Sequence, residues 1–324
     1  MRNFGVAGFE ATVRPVLVLG ACGFIGRHVR GALARSALDG TWVGACRRPP
    51  RPAAARGAGG RWVASDLVGS PADEVETLVR ALSPGAVVNC TDARSGSAVA
   101  MRTANVETVR SLLTVLADHP GTRLIQIGSS AEYGPQPTDA PVGESAVPHP
   151  CGGYARSKLW ATDLVVAAIG HGLARGTVLR VFEPVGAGAP AGSFAGHTAR
   201  ALRDAGARGL TSITVGPLGT RLDVVAASDV GVAVVRALQA AELPPVLNVG
   251  RGVATSAAAL VALLAAAAGF AGDVVERRGP VPCVASQRAD VSLLQKTLDW
   301  VPTTSLAVAL EELWSDLVGS SRHR

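Results

Sequence analysis

The chain has 324 residues, 48% of them hydrophobic, enough for one large domain or two smaller ones around a buried core, which excludes global disorder. Its formal charge of +6 is scattered, dense only over 47–51 and 322–324, and aromatics make up 4%, so a nucleic-acid surface with stacking platforms is not expected. Five cysteines (Cys22, Cys46, Cys90, Cys151, Cys283), odd in number and without C-x-x-C spacing, read as reduced thiols of a cytoplasmic protein, with no disulfide framework and no metal site. Residues 1–14 carry charge and no long apolar run, and the most apolar window, 257–268, is too short to span a bilayer, so neither a signal peptide nor a membrane partner is expected.

Val16-Leu17-Val18-Leu19 is a continuous apolar run, the pattern of a strand buried on both faces. The loop Gly20-Ala21-Cys22-Gly23-Phe24-Ile25-Gly26 follows with G-x-x-G-x-x-G spacing and opens a helix over 25–38. Glycines there let the backbone approach a pyrophosphate, and the helix N-terminus favours its negative charge. A second strand is expected over 41–46, a surface loop over 49–60 and a third strand over 61–64. Where the second strand ends, a carboxylate would hold the adenosine ribose; Arg47 and Arg48 stand there instead, and a guanidinium suits a 2′-phosphate. NADP(H) is therefore favoured over NAD(H). Asp66, after the third strand, reads either as an adenine contact or as a turn aspartate.

Helices over 72–82 and 98–117 alternate with strands over 86–90 and 123–127, and a helix over 154–168 precedes a strand over 177–181. That alternation implies right-handed βαβ units. The fold class is α/β: a Rossmann-type, doubly wound parallel sheet over 15–182, with a smaller, partly interleaved C-terminal substrate-binding lobe over 183–318. Helix candidates in the lobe are 194–205, 229–240, 257–268 and 306–317.

Tyr154-Ala155-Arg156-Ser157-Lys158 follows the Ser129-Ser130 pair. Residues four apart share a helix face, so Tyr154 and Lys158 can point into one cleft. An ammonium beside the phenol favours the phenolate and is expected to lower its pKa toward a working range. A serine hydroxyl could bond the same substrate oxygen. Such a group suits reversible proton transfer at a carbonyl or carbinol oxygen.

In this order, with Asp66-Leu67, Asn105-Val106, Gly128-Ser129-Ser130-Ala131-Glu132-Tyr133-Gly134, Leu179-Arg180-x-Phe182, Gly186, Asp229, Leu247-Asn248-Val249-Gly250 and Leu298-Asp299-Trp300-x-Pro302, the chain resembles the extended short-chain dehydrogenase/reductase family, in its nucleotide-sugar epimerase, dehydratase and reductase branch. The resemblance covers about 15–317. It implies that Gly20, Gly23, Phe24, Ile25, Gly26 and Leu67 hold the cofactor together with Arg47, Arg48, Asp66, Tyr154 and Lys158. It further implies that Ser130 polarises the substrate carbonyl, that Tyr154 donates the proton, and that Lys158 binds the nicotinamide ribose and tunes Tyr154. Glu132 stands where dehydratase relatives use a glutamate to remove water, or is a turn residue bonding local amides; Asn105 would hold backbone or a water, or lie on a helix surface.

Gly-Ser-Ser-Ala-Glu-Tyr-Gly looks most like the reductases of 4-keto-6-deoxy nucleotide sugars, so an NADPH-dependent ketoreductase is expected. An epimerase or dehydratase that retains its cofactor, a ketoreductase of a non-nucleotide natural product, and a non-catalytic NADP-binding protein stay open. The partner expected is a small-molecule carbonyl substrate, with a homodimer as the assembly considered. Two substrate-binding positions depart from the family. Glu183 replaces an asparagine that helps bind the diphosphate, and its charge would repel one. In Arg221-Leu222-Asp223 the diphosphate-gripping arginine is displaced by one residue, which on a strand puts it on the opposite face.

Overall fold

The computed structural model describes residues 14–38, 40–50, 60–67, 69–136, 140–277 and 286–321. Residues 51–59 of the expected loop and Cys283 lie outside these. Apolar runs build the first sheet: β1 (Val16–Leu19), β2 (Trp42–Cys46) and β4 (Ala86–Asn89) are buried along their whole length, whereas β3 (Arg61–Ala64) at the edge is not. With β5 (Arg123–Ser129), β6 (Arg175–Val181) and β10 (Val246–Val249) they form a seven-stranded sheet in the order β10-β6-β5-β4-β1-β2-β3. Every pairing in it is parallel. Strand order reverses between β1 and β4, the switch point at which such sheets bind ligands.

Helices cover both faces. On one side α1 (Phe24–Ala34) and α7 (Ala227–Gln239) pack through Val29, Leu33, Val230 and Val234; on the other α2 (Pro71–Leu82), α4 (Thr108–Ala117) and α5 (Gly152–Gly170) pack through Val75, Leu112 and Val165. Helix α2 has Pro71 in its first turn with Asp73 and Glu74, favourable at a positive helix end, and stops at Ser83 in the left-handed region. The expected helix over 98–117 is interrupted: α3 (Ala98–Arg102) passes through a π turn (Thr103–Glu107) into α4. Helix α1 also ends sooner than expected, with Arg35 as its C-cap.

After β6 the chain leaves this sheet. Strand β7 (Glu183–Val185) pairs with β9 (Arg221–Ala226), which also carries β11 (Ala254–Ser256) and β13 (Ser286–Gln287), while β8 (Ser212–Val215) pairs with β12 (Asp273–Glu276). Helices α6 (Phe194–Arg208), α8 (Ala257–Ala268) and α10 (Leu306–Ser321) pack here around Leu202, Leu260, Leu264 and Leu310, and α9 (Ser292–Leu298) returns Leu294 to the first core. Helix α7 and strand β10 also return to the first sheet, so the segment after 183 supplies both halves. Glu183 stands where the chain crosses between them. Among the described residues no helix is long and apolar enough to cross a membrane.

Candidate active site

A cleft of about 900 Å³ opens at the carboxyl ends of β1, β2, β4 and β5 and is closed on its far side by β7 and β9. Its floor is the glycine loop. Gly20 has φ +70° and a Cβ there would lie 2.9 Å from the Cys90 carbonyl carbon; a Cβ on Gly26 would lie 2.2 Å from the Gly20 oxygen. No side chain caps α1, and Gly23, Phe24 and Ile25 line the cleft, leaving the helix N-terminus open to an anionic ligand. Arg47 and Arg48 line the same cleft at the end of β2, and Leu67 lines it beyond β3. This cradle fits a dinucleotide. Asp66 does not line it; its carboxylate accepts from the Gly69 N–H (3.2 Å), the bond expected of a turn aspartate.

The thiols differ from expectation. Cys22 in the glycine loop and Cys46 at the end of β2 are joined, their Cα atoms 6.0 Å apart, and Cys151 is disulfide-bonded as well. The loop and β2 bring Cys22 and Cys46 together across a sequence gap that spacing motifs do not register. Cys90 is free and buried; burial pushes its thiol up to about 12, with Lys158 acting the other way, so it is inert at neutral pH.

Tyr154 lies in the first turn of α5 and Lys158 one turn later, both facing the cleft. The Lys158 ammonium donates to the Ile127 carbonyl (2.7 Å) and lies 3.6 Å from Asp92 Oδ1. The Tyr154 hydroxyl donates to Asp92 Oδ2 (3.4 Å). Both Ser129 and Ser130 line the cleft, and Ser129 is the serine that acts to lower the Tyr154 pKa. The expected lowering of the phenol does not occur. Burial raises the Tyr154 pKa, the Asp92 carboxylate adds to this, and Arg94 and Ser129 oppose it. Lys158 is engaged elsewhere, and Tyr154 is held as the neutral phenol.

Glu132 is fully buried and does not line the cleft. It accepts from the Ser129 N–H (2.8 Å) and from Arg180 (2.7 Å), completing a capping box with Ser129 on the short 3-10 turn Ser130–Tyr133. Tyr133 donates to Asn248 (2.8 Å) and is structural. Asn105 holds backbone, bonding both main-chain groups of Ala93. Glu183 lines the cleft; burial raises its carboxyl, and Arg94 opposes this. Arg221 is exposed outside the cleft, while Leu222 and Asp223 after it both line the cleft.

Asp92 and Arg94 were not legible as site residues in the sequence. Burial works against the Arg94 charge, yet Tyr154, Glu183 and Asp92 hold its pKa above the ordinary value, and its guanidinium sits 5.2 Å from the Tyr154 ring centre. The signal that could have found them is position: charged residues just past a parallel strand at the switch point.

Residues 16–250 match the NAD dependent epimerase/dehydratase family. The chain belongs to that family. This family member is 36% identical over 306 residues to the dTDP-6-deoxy-L-talose 4-dehydrogenase (NAD(P)(+)) of Kitasatospora kifunensis, covering 93% of its own length and 94% of the relative's. MoeE5 in complex with UDP-glucuronic acid and NAD has a similar structure, with a TM-score of 0.80 at 25% identity over 94% of this chain and 99% of that one. RMD from Pseudomonas aeruginosa complexed with NADPH shares the fold, with a TM-score of 0.78 at 24% identity over 95% and 98% of the two chains. This epimerase/dehydratase-family protein is an NAD(P)-dependent oxidoreductase of the extended short-chain dehydrogenase/reductase type.

Proposed function

We propose that the protein is an NADPH-dependent ketoreductase of a 4-keto-6-deoxy nucleotide sugar. The observation that carries the reading is the neutral Tyr154 phenol, one helical turn from Lys158, on the wall of a dinucleotide cradle that Ser129 also lines. Its 36% identical relative is named for oxidoreduction at C4 of a dTDP-6-deoxy sugar, and reduction of the ketone is the reverse of that step. When bound, NADPH supplies a hydride to the carbonyl carbon. Tyr154 gives its proton to the carbonyl oxygen, Ser129 takes the polarising role expected of Ser130 by bonding that oxygen, and Lys158 turns toward the ribose. The engagement of Glu132 with Arg180 removes the glutamate a dehydratase would use and supports the reductase reading.

Incubation with a dTDP-4-keto-6-deoxyhexose is expected to consume one NADPH per ketone, whereas an epimerase or dehydratase would recycle its cofactor and leave NADPH unchanged. Arg47 and Arg48 at the cleft rim support NADPH over NADH by about tenfold to a hundredfold in affinity, the worth of a charge-assisted contact to a 2′-phosphate. Equal or tighter binding of NADH would contradict that assignment.

Glu183 and Arg94 bear on the diphosphate. A carboxylate on the cleft wall repels it, and the same carboxylate occupies Arg94 electrostatically. Glu183→Gln is expected to tighten dTDP binding several-fold, most at low salt where screening is least, and Arg94→Ala to weaken it. Calorimetric titration of both variants checks this; dTDP affinity indifferent to Arg94 would remove it from substrate binding.

A further inference from the structure

The segment that follows β4 is fastened from both sides by buried amides. Asn89, fully buried at the end of β4, accepts from the Thr91 N–H (3.1 Å) and hydroxyl (2.7 Å), and donates to Gln126 (2.8 Å). Asn105, also buried, accepts from the Ala93 N–H (2.9 Å) and donates to the Ala93 carbonyl (3.0 Å) and the Ser157 hydroxyl (2.9 Å). Ser157 in turn donates to the Tyr154 carbonyl (2.8 Å). Buried amides are costly unless satisfied. These two are satisfied in a way that immobilises the residues on either side of Asp92 and ties the loop to the turn of α5 that carries Tyr154. The π turn over Thr103–Glu107 is where Asn105 is presented, and such turns recur at functional sites. The outcome is one carboxylate with an oxygen on each of the two groups that matter: Oδ2 at 3.4 Å from the Tyr154 hydroxyl and Oδ1 at 3.6 Å from the Lys158 ammonium.

We propose that Asp92 is a positioning residue for the proton transfer: fixed by Asn89 and Asn105, its carboxylate keeps the hydrogen on Tyr154 and aligns Lys158 until a substrate oxygen takes the proton. In that step the Tyr154 O–H bond breaks, an O–H bond forms on the substrate oxygen, and Asp92 neither gives nor takes a proton; the phenolate is reprotonated from solvent between turnovers. The inference rests on Tyr154 being the proton donor. The charged and titratable groups around the phenol are Asp92 and Arg94 on the loop, Lys158 on α5, Glu132 on the turn after β5 and Glu183 on β7, with Cys90 at the end of β4 uncharged at neutral pH. Among these, Asp92 is the carboxylate in hydrogen-bond contact with the hydroxyl. A like charge beside a phenolate disfavours it, so removing the Asp92 charge makes Tyr154 ionise at lower pH.

The chain has two tyrosines, Tyr133 and Tyr154, so the phenol can be followed directly by tyrosine-labelled carbon NMR, with Tyr154→Phe assigning the signals. In Asp92→Asn the Tyr154 signal is expected to titrate on the order of one pH unit or more below the parent. The alkaline limb of kcat for NADPH oxidation with a dTDP-4-keto-6-deoxyhexose should move by the same amount, and Asp92→Glu should restore the parent profile. Asp92→Ser, smaller and uncharged, should behave as Asn does, so the test does not hang on one variant folding. A Tyr154 signal that keeps the parent's protonation over the whole folded range in both uncharged variants, or a loss of kcat with no movement of the limb, would overturn the proposal. Full turnover by Tyr154→Phe would instead sink the proton-donor reading itself. An inactive Tyr154→Phe beside an unmoved Asp92→Asn limb would sink the role of Asp92 alone.

Discussion

Tyr154→Phe is expected to lower kcat at least a hundredfold while leaving NADPH affinity nearly unchanged. The substitution deletes one oxygen, the one hydrogen-bonded to Asp92 in the cleft, and keeps the ring that Arg94 covers. A positioned general acid contributes on the order of 10²–10⁴-fold, which sets the size of the loss. Lys158→Met should damage both quantities, because the ammonium that donates to Ile127 is also the group proposed to bind the ribose. Single-turnover mixing with a keto sugar, together with NADPH titration, separates the two effects. Most of the activity surviving in Tyr154→Phe would show that the proton comes from elsewhere.

Gly26→Ala is expected to abolish measurable cofactor binding and to destabilise the fold by about 1–3 kcal/mol, the range for overpacking. The added Cβ would lie 2.2 Å from the Gly20 oxygen and 2.8 Å from the Ala21 Cα, both backbone atoms of the loop, so α1 and the pyrophosphate cradle cannot both stay in place. Gly31→Ala on the same helix is the control. There the new Cβ meets only the end of the Arg35 side chain at 3.4 Å, and replacing a helical glycine should be neutral or stabilising. Thermal melts and NADPH titration of the two variants test this. Parent-like binding by Gly26→Ala would mean that the loop does not hold the pyrophosphate as proposed.

The first sheet and its glycine loop were legible in the sequence because both are local. Val16–Leu19 is apolar at every position since helices cover both sheet faces, and the glycine spacing follows from a backbone approach within seven residues. Tyr154 and Lys158 were legible for the same reason, since one helical turn sets their common face. The interruption of the helix over 98–117 was not. The π turn presents Asn105 to a partner found across space, the Ala93 backbone, which no periodicity records.

Which polar side chains entered the cleft was decided only by the tertiary structure. Adjacent serines and a glutamate two residues on look interchangeable along the chain, yet the capping box after β5 fixes Ser129 at the cleft and buries Glu132 against Arg180 from a strand more than forty residues away. The sign of the Tyr154 shift was decided there too. The sequence places a lysine on the same helix face, which argues for a lowered pKa, but the shift depends on burial and on the nearest charge. Asp92 arrives from the end of β4 and takes up both the phenol and the ammonium. Cys22 and Cys46 follow the same logic: each is unremarkable in sequence, and they meet because parallel strands β1 and β2 end side by side. Sequence by itself determined the elements and the faces they present, because those depend on neighbours a few bonds away. Charges and hydrogen bonds act between whichever groups the fold brings within a few ångströms, so the chemistry of the cleft was set only when the strands were aligned.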